Sequence, residues 1–195
     1  MRLILASSSP RRHALLGLLG LPFEVARPDV DEEAVWARWW RGPGSGRRAA
    51  RRLAMAKARA VEASLQAPAL VLAADTVVLL GGNVLNKPSN AEHARQMLRS
   101  LSGLTHEVVT GVALIGEGIS SSASACTRVR FGRLRDAEIE SYIQSGEPFD
   151  KAGGYGIQGL GGLLVERIDG PYDNVVGLPM RLVYRLLRRH GVTIW

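Results

Sequence analysis

The segment Ala69–Leu80 constrains this chain more than any other, because only Asp75 and Thr76 interrupt its run of apolar residues. A strand with one wet face alternates apolar and polar residues, whereas a near-continuous apolar run reads as a strand buried on both faces. Such a strand needs helices on each side of its sheet, and the flanking sequence supplies them. Leu3–Ala6 reads as a short buried strand, Ser9 is a natural N-cap, and Pro10 suits the first helical position. Leu15, Leu16, Leu18 and Leu19 then form the apolar face of a helix that stops at Gly20. A strand is expected at Phe23–Ala26, and Gly42-Pro43-Gly44 breaks the chain ahead of a helix over Arg47–Leu65. Beyond the apolar run, Gly81-Gly82-Asn83 turns into Val84-Leu85. Helices are expected at Ala91–Arg99, Asp136–Ile143 and Leu178–Arg189, the last entered at Pro179. Strands are expected at Val108–Ile115, Ala125–Phe131 and Leu163–Ile168, the first two joined across Gly116-Glu117-Gly118. Strands alternating with helices, plus one hairpin, indicate an α/β fold with a mixed twisted β-sheet flanked by helices.

The bulk numbers narrow the class. A chain of 195 residues can bury a substantial core and is expected to form a single domain over 1–195. Its 46% hydrophobic and 22% charged content belong to an ordinary globule, not a disordered chain. The single Cys126 excludes an intrachain disulfide and fits a reducing compartment. The apolar run after Arg2 ends at Ala6, shorter than the about 7–15 residues of a signal-peptide core. No stretch approaches the roughly 20 apolar residues of a membrane span. The expected location is the cytoplasm, with no membrane partner.

The chain carries 25 Lys and Arg against 18 Asp and Glu, a net charge of +7. Much of the excess lies between Arg38 and Arg59, where no acid intervenes and where Trp36, Trp39 and Trp40 are interleaved. Such a run admits three readings: a solvated helix face, a nucleic-acid surface, or a positive field that draws in a polyanionic small molecule. Nucleic-acid recognition normally adds exposed aromatics or a known module; the interleaved tryptophans keep that reading open, but nucleic acid is not the expected partner. The three tryptophans are expected to be exposed and to favour a homodimer, because aromatics are enriched at interfaces.

Three segments carry chemistry. Strand, serine-rich turn and helix present backbone N–H groups and a positive helix end to an anion. Arg11 and Arg12 occupy the first turn of that helix, where cations are unfavourable unless an anion sits nearby. Asp75 is a carboxylate inside an apolar strand, costly unless paired, hydrogen-bonded or bound to metal. It is therefore a candidate general base or metal ligand. Asp31-Glu32-Glu33 offers further carboxylates that suit Mg²⁺ or Mn²⁺ beside phosphate, and equally caps a following helix. Lys57 stands among alanines where a ligand fits closely, and Lys87 precedes Pro88, which favours an extended backbone. Judged locally, each is an ordinary surface lysine. The third segment, Asp150–Gly159, contains four glycines with Asp150, Lys151, Tyr155 and Gln158 beside them. Glycine at that density belongs where backbone turns sharply or approaches a ligand. A plain surface loop would explain the glycines but not the side chains, so the segment reads as a substrate loop.

The motifs Ala6–Arg12, Ala74–Val78, Asn86-Lys87-Pro88, Leu101-Ser102-Gly103, Thr110-Gly111, Asp150–Gly159 and Val175–Pro179 occur in one order from about residue 3 to residue 188. This ordered set resembles the Maf family of nucleotide pyrophosphatases. The resemblance implies a Maf/ITPase-like fold and metal-dependent cleavage of a nucleoside triphosphate into monophosphate and pyrophosphate. Arg11-Arg12, Asp75-Thr76 and Tyr155–Gly159 resemble the branch acting on dTTP and UTP, so Arg11, Thr76 and Gln158 are expected to set specificity. Asp75 is the expected proton acceptor, with Glu32 sharing a Mg²⁺ or Mn²⁺ with it. Ser7, Arg12, Lys57 and Lys87 are expected to hold phosphates. The family is also linked to limiting non-standard nucleotides and to septum formation. Departures from its pattern are Asn86, Gly154 and the Trp/Arg-rich stretch from 36 to 52. The competing class is a nucleotide- or nucleic-acid-binding regulator without catalysis.

Overall fold

A computed structural model describes residues 2–194 as a seven-stranded mixed sheet covered by helices on both faces. The chain runs β1 (Leu3–Ala6), α1 (Pro10–Gly17), β2 (Glu24–Ala26), α2 (Glu32–Trp39), α3 (Gly46–Ser64), β3 (Leu70–Leu80) and β4 (Asn83–Leu85). It continues through α4 (Ala91–Leu101), β5 (Thr105–Gly116), β6 (Ile119–Phe131), α5 (Asp136–Gln144), β7 (Val165–Asp169), α6 (Tyr172–Val176) and α7 (Met180–Arg189). Three short 3-10 turns lie between α5 and β7. The strand order is β2-β1-β3-β5-β6-β7, with β4 also paired to β3. Strands β2, β1 and β3 are parallel, and the pairs from β3 through β5 and β6 to β7 are antiparallel.

The apolar run is β3, buried on both faces as its composition requires. Val71 and Ala73 pack with Ala54, Ala58 and Val61 of α3. Leu70, Leu72 and Ala74 face the opposite layer, with Leu16 of α1 and Val183, Leu186 and Leu187 of α7. A third cluster joins Leu98 and Leu101 of α4 to Ile139 and Tyr142 of α5 over Val108, Val129 and Phe131.

The structure adjusts several expectations. Helix α1 ends at Gly17 because the 3-10 type bonds Leu18 N→Leu15 O and Leu19 N→Leu16 O tighten its exit toward Gly20. Ser9 caps it as expected, accepting from Arg12 N at 3.4 Å. The hairpin strands β5 and β6 extend well beyond the apolar core, because ladder bonding continues through polar positions such as Ser120–Ser122. Helix α2 grows from the acidic run, with the Asp31 carboxylate accepting Ala34 N at 2.9 Å. The expected exposure of the tryptophans does not hold: Trp36, Trp39 and Trp40 are half-buried. Trp36 and Trp40 stack at 5.5 Å and pack on Ala50, Val77, Leu79 and Val109, while Arg52 lies 4.3 Å over Trp39. Among the described residues, no helix is long and apolar enough to cross a membrane.

Candidate active site

The sheet opens where the polar pair of β3 lies. On one edge of β3, β1 pairs with Leu70–Ala73 and β4 with Val78–Leu80, while β5 runs along the other edge from Val71 to Leu79. Ala74–Val77 therefore has no ladder partner on the first edge. A cleft of about 1080 Å³ enters through this gap. Because successive side chains alternate faces, Asp75 turns toward α3 and Thr76 toward α1, and the gap lets both reach the same cleft.

On the α3 side, the Lys57 ammonium donates to Asp75 Oδ1 at 2.7 Å and meets Glu32 Oε1 at 2.8 Å. Lys57 is 6% exposed and Asp75 7%. The local reading of Lys57 as a surface lysine is overturned. Its signal was spacing: Ala50, Leu53, Ala54, Lys57, Ala58 and Val61 form the buried stripe of α3, so position 57 had to point inward. The capping reading of the acidic run holds at Asp31, which caps α2, while Glu32 turns to the cleft.

On the α1 side, Arg12 donates from Nε to the Gly177 carbonyl at 2.8 Å and from Nη2 to Thr76 Oγ1 at 3.0 Å. Thr110 Oγ1 spends its single proton on the Asn174 carbonyl at 3.0 Å, so the 2.9 Å contact between the two hydroxyls has Thr76 donating. A directed chain thus runs from Arg12 through both threonines. Burial lowers the pKa of the Arg12 guanidinium, against the opposing charges of Asp75 and Glu32. Ser7 is buried at the end of β1, and its hydroxyl accepts Ser9 N at 3.2 Å.

The opposite wall is the glycine-rich loop. Arg11 reaches its Asp150 at 3.6 Å, and Lys151 donates to Asp150 at 2.5 Å and to the Glu147 carbonyl at 2.8 Å. Tyr155 lies under the loop in a ring cluster with His106 and Phe131, its hydroxyl 2.8 Å from His106 Nε2. Burial holds the His106 pKa down to about 4, so this histidine is neutral at physiological pH, and burial also raises the Tyr155 phenol. Gln158 and Lys87 line the cleft with exposed side chains.

The structure therefore brings Ser7, Arg11, Arg12, Glu32, Lys57, Asp75, Thr76, Lys87 and Gln158 to one cleft. Sequence reasoning missed Glu147, Tyr142 and His106, whose partners lie in distant or backbone groups. Chemically, the cleft offers two carboxylates sharing one cation, an arginine and a serine-rich turn for anions, and a glycine-rich loop for a larger ligand part. Among the described residues, no three His, Cys, Asp or Glu side chains group to hold a metal by themselves. Any metal would rest on Asp75 and Glu32 with water and ligand oxygens, as suits Mg²⁺ or Mn²⁺. The oxygens of this pair already converge on one cation, the Lys57 ammonium, so the donor set fits.

The family profile described as Maf-like protein matches residues 2–190. A relative named dTTP/UTP pyrophosphatase from Anaeromyxobacter dehalogenans strain 2CP-C is 50% identical over 97% of this chain and 94% of its own. Another of that name, from Moorella thermoacetica, is 50% identical over 100% of this chain and 97% of its own. The solved HAM1 protein of Coxiella burnetii overlaps 69% of this chain and 74% of its own, at TM-score 0.45 and 16% identity. From the profile match across nearly the whole sequence and from these full-length relatives, the chain belongs to the Maf-like protein family.

Proposed function

We propose that this Maf-like protein is a nucleoside triphosphate pyrophosphatase, converting dTTP and UTP to the monophosphate and pyrophosphate. Its full-length relatives carrying that name support the substrate assignment. The observation that carries the chemistry is the buried Lys57 ammonium held between Asp75 and Glu32 where β3 opens into the cleft. A phosphoanhydride needs charge neutralisation and positioning more than covalent help, and this cleft supplies both.

In the proposed reaction, Arg12, Ser7, Lys57 and Lys87 bind the phosphate oxygens. The N–H groups of the turn into α1 face the same charge. Asp75 takes a proton from the water that attacks the α-phosphorus. A bond forms from the water oxygen to that phosphorus, the bond to the bridging oxygen breaks, and pyrophosphate leaves. Asp75 and Glu32 would hold a bound Mg²⁺ or Mn²⁺, which neutralises phosphate charge and acidifies water. Arg12 reaches the cleft in a fixed pose because Thr76 and Gly177 hold its guanidinium.

Gln158 is the proposed base reader. Its amide pairs with O4 and N3–H of uracil or thymine, and a purine or cytosine edge leaves polar groups unmatched. Arg11 and Thr76 are its proposed companions in specificity. The test is pyrophosphate release across dTTP, UTP, CTP, ATP and dGTP with Mg²⁺ or Mn²⁺. The expected result is turnover highest on dTTP and UTP. No release on any of them refutes the activity, and equal rates on CTP and UTP refute the pyrimidine reading alone.

A further inference from the structure

The glycines around Gln158 are shaped by a carboxylate that the proposed reaction does not use. Glu147 sits at the start of the first 3-10 turn, Glu147–Asp150, and sends its carboxylate across to the far arm of the loop. Oε2 accepts Leu160 N at 2.9 Å, and Oε1 accepts Gly161 N at 3.1 Å. Oε1 also receives the Tyr142 hydroxyl at 3.0 Å, and that hydroxyl in turn accepts Gly156 N at 3.2 Å. Both arms of the loop, at Gly156 and at Leu160–Gly161, are thereby tied to one hydroxyl–carboxylate pair, with Gln158 between them.

The pair explains why side chains are excluded here. A Cβ at position 159 would come within 2.3 Å of Glu147 Oε2, and one at 161 within 2.6 Å of the Tyr142 hydroxyl. A glycine loop alone would be loose, because glycine loses more backbone freedom on ordering than any other residue. A carboxylate accepting two backbone N–H bonds and a hydroxyl is a charge-assisted anchor, about twice as strong per bond as a neutral one.

We propose that Glu147 is a positioning residue for substrate specificity: with Tyr142 it clamps the loop in the shape that presents Gln158 to the nucleobase. This inference rests on the pyrimidine reading of the cleft and adds the element that gives the exposed Gln158 amide a fixed backbone stance. The groups that face the carboxylate are Tyr142 from α5, Lys151 within the loop, and the backbone of 160–161. Burial opposes ionisation of Glu147, but the N–H groups of Gly161 and Leu160, the Tyr142 hydroxyl and Lys151 outweigh it and lower its pKa. The clamp is therefore in its charged, closed form at neutral pH.

The experiment compares wild type, Glu147→Gln and the milder Tyr142→Phe at neutral pH. It reads amide exchange at residues 156–161 together with kcat and KM for dTTP and dGTP. Glu147→Gln places an amide NH₂ against backbone donors and should deprotect the amides of 160 and 161. It should raise KM for dTTP on the order of tenfold and compress the dTTP/dGTP preference by a similar factor, with kcat for dTTP little changed. Tyr142→Phe should free the Gly156 amide and give a smaller shift in the same direction. Unchanged amide protection in Glu147→Gln overturns the clamp. A fall in kcat with KM and preference intact overturns its role in specificity. Amide exchange needs no turnover, so the clamp is decided even on an enzyme that releases no pyrophosphate from dTTP.

Discussion

The two walls of the cleft are built by opposite means. Around β3, the groups are buried and locked by strands and helices: Lys57 and Asp75 are each under a tenth exposed, and Arg12 is held by Thr76 and Gly177. Across the cleft, Gln158 is exposed on a loop whose order comes from Glu147, Tyr142 and Lys151. Of the groups proposed to act on phosphate, Ser7, Arg12 and Lys57 occupy the rigid wall and Lys87 is exposed, whereas Gln158, the proposed base reader, occupies the loop. Chemistry requires fixed geometry to fractions of an ångström, whereas discrimination among bases can be retuned by a loop without disturbing the sheet.

The largest expected effect breaks the rigid wall. Asp75→Asn removes the proposed proton acceptor and should lower turnover of dTTP by about 10²–10⁴-fold in a pyrophosphate-release assay. Retention of most activity would remove Asp75 from the mechanism. Lys57→Met tests the same wall by stability. Stripping the ammonium leaves Asp75 buried beside Glu32 without its ion-pair partner, with only the more distant charge of Arg12 to offset it, and urea unfolding should register a loss of about 3–5 kcal/mol. A loss below about 1 kcal/mol would mean the pair behaves as a surface ion pair.

The next prediction addresses the seam between the walls. His106 on β5 carries the Tyr155 end of the loop, and its pKa is lowered from 6.5 to about 4 by burial. The unfolded chain therefore binds the proton first. The stability this group contributes is complete above pH 6.5 and drains away as pH falls toward 4. The shift corresponds to about 3 kcal/mol over that window. Unfolding free energies measured from pH 7 to 4.5 should fall more steeply for wild type than for His106→Gln, and parallel curves would refute the assignment. The smallest effect belongs to the loop tip. Gln158→Glu should weaken dTTP and UTP turnover by about 1–3 kcal/mol in kcat/KM, with melting unchanged.

The same contrast governs what could be read from the sequence. The rigid wall was legible because burial leaves periodic traces: the apolar run of β3 isolates Asp75, and the Ser9-Pro10 start of α1 orients Arg12. Only the local reading of Lys57 as a surface lysine fails, because it takes the neighbours residue by residue and not as the buried stripe of α3. The loop's composition marked it as a ligand segment, but nothing local announces Glu147. Its partners are backbone N–H groups 13 and 14 residues onward, which every non-proline residue possesses. His106 is equally silent, since a histidine that supports a tyrosine leaves no spacing signature. The tryptophans misled for a related reason: an aromatic run next to arginines reads as an exposed surface until folding stacks the two together.

The break in pairing along β3 has a consequence for solubility. A bare strand edge offers unpaired N–H and C=O groups to any other chain and invites edge-to-edge aggregation or strand insertion. Here the bare stretch is only Ala74–Val77, stopped at one end by β1 and at the other by β4. At about 3.3 Å per residue it spans roughly 13 Å, shorter than the usual strand of about five or six residues. Arg12, hydrogen-bonded to the Thr76 side chain, stands at that edge as a charged guard. A stretch so short, with a cation at its margin, offers an added strand few ladder bonds, while it leaves the cleft beside β3 open.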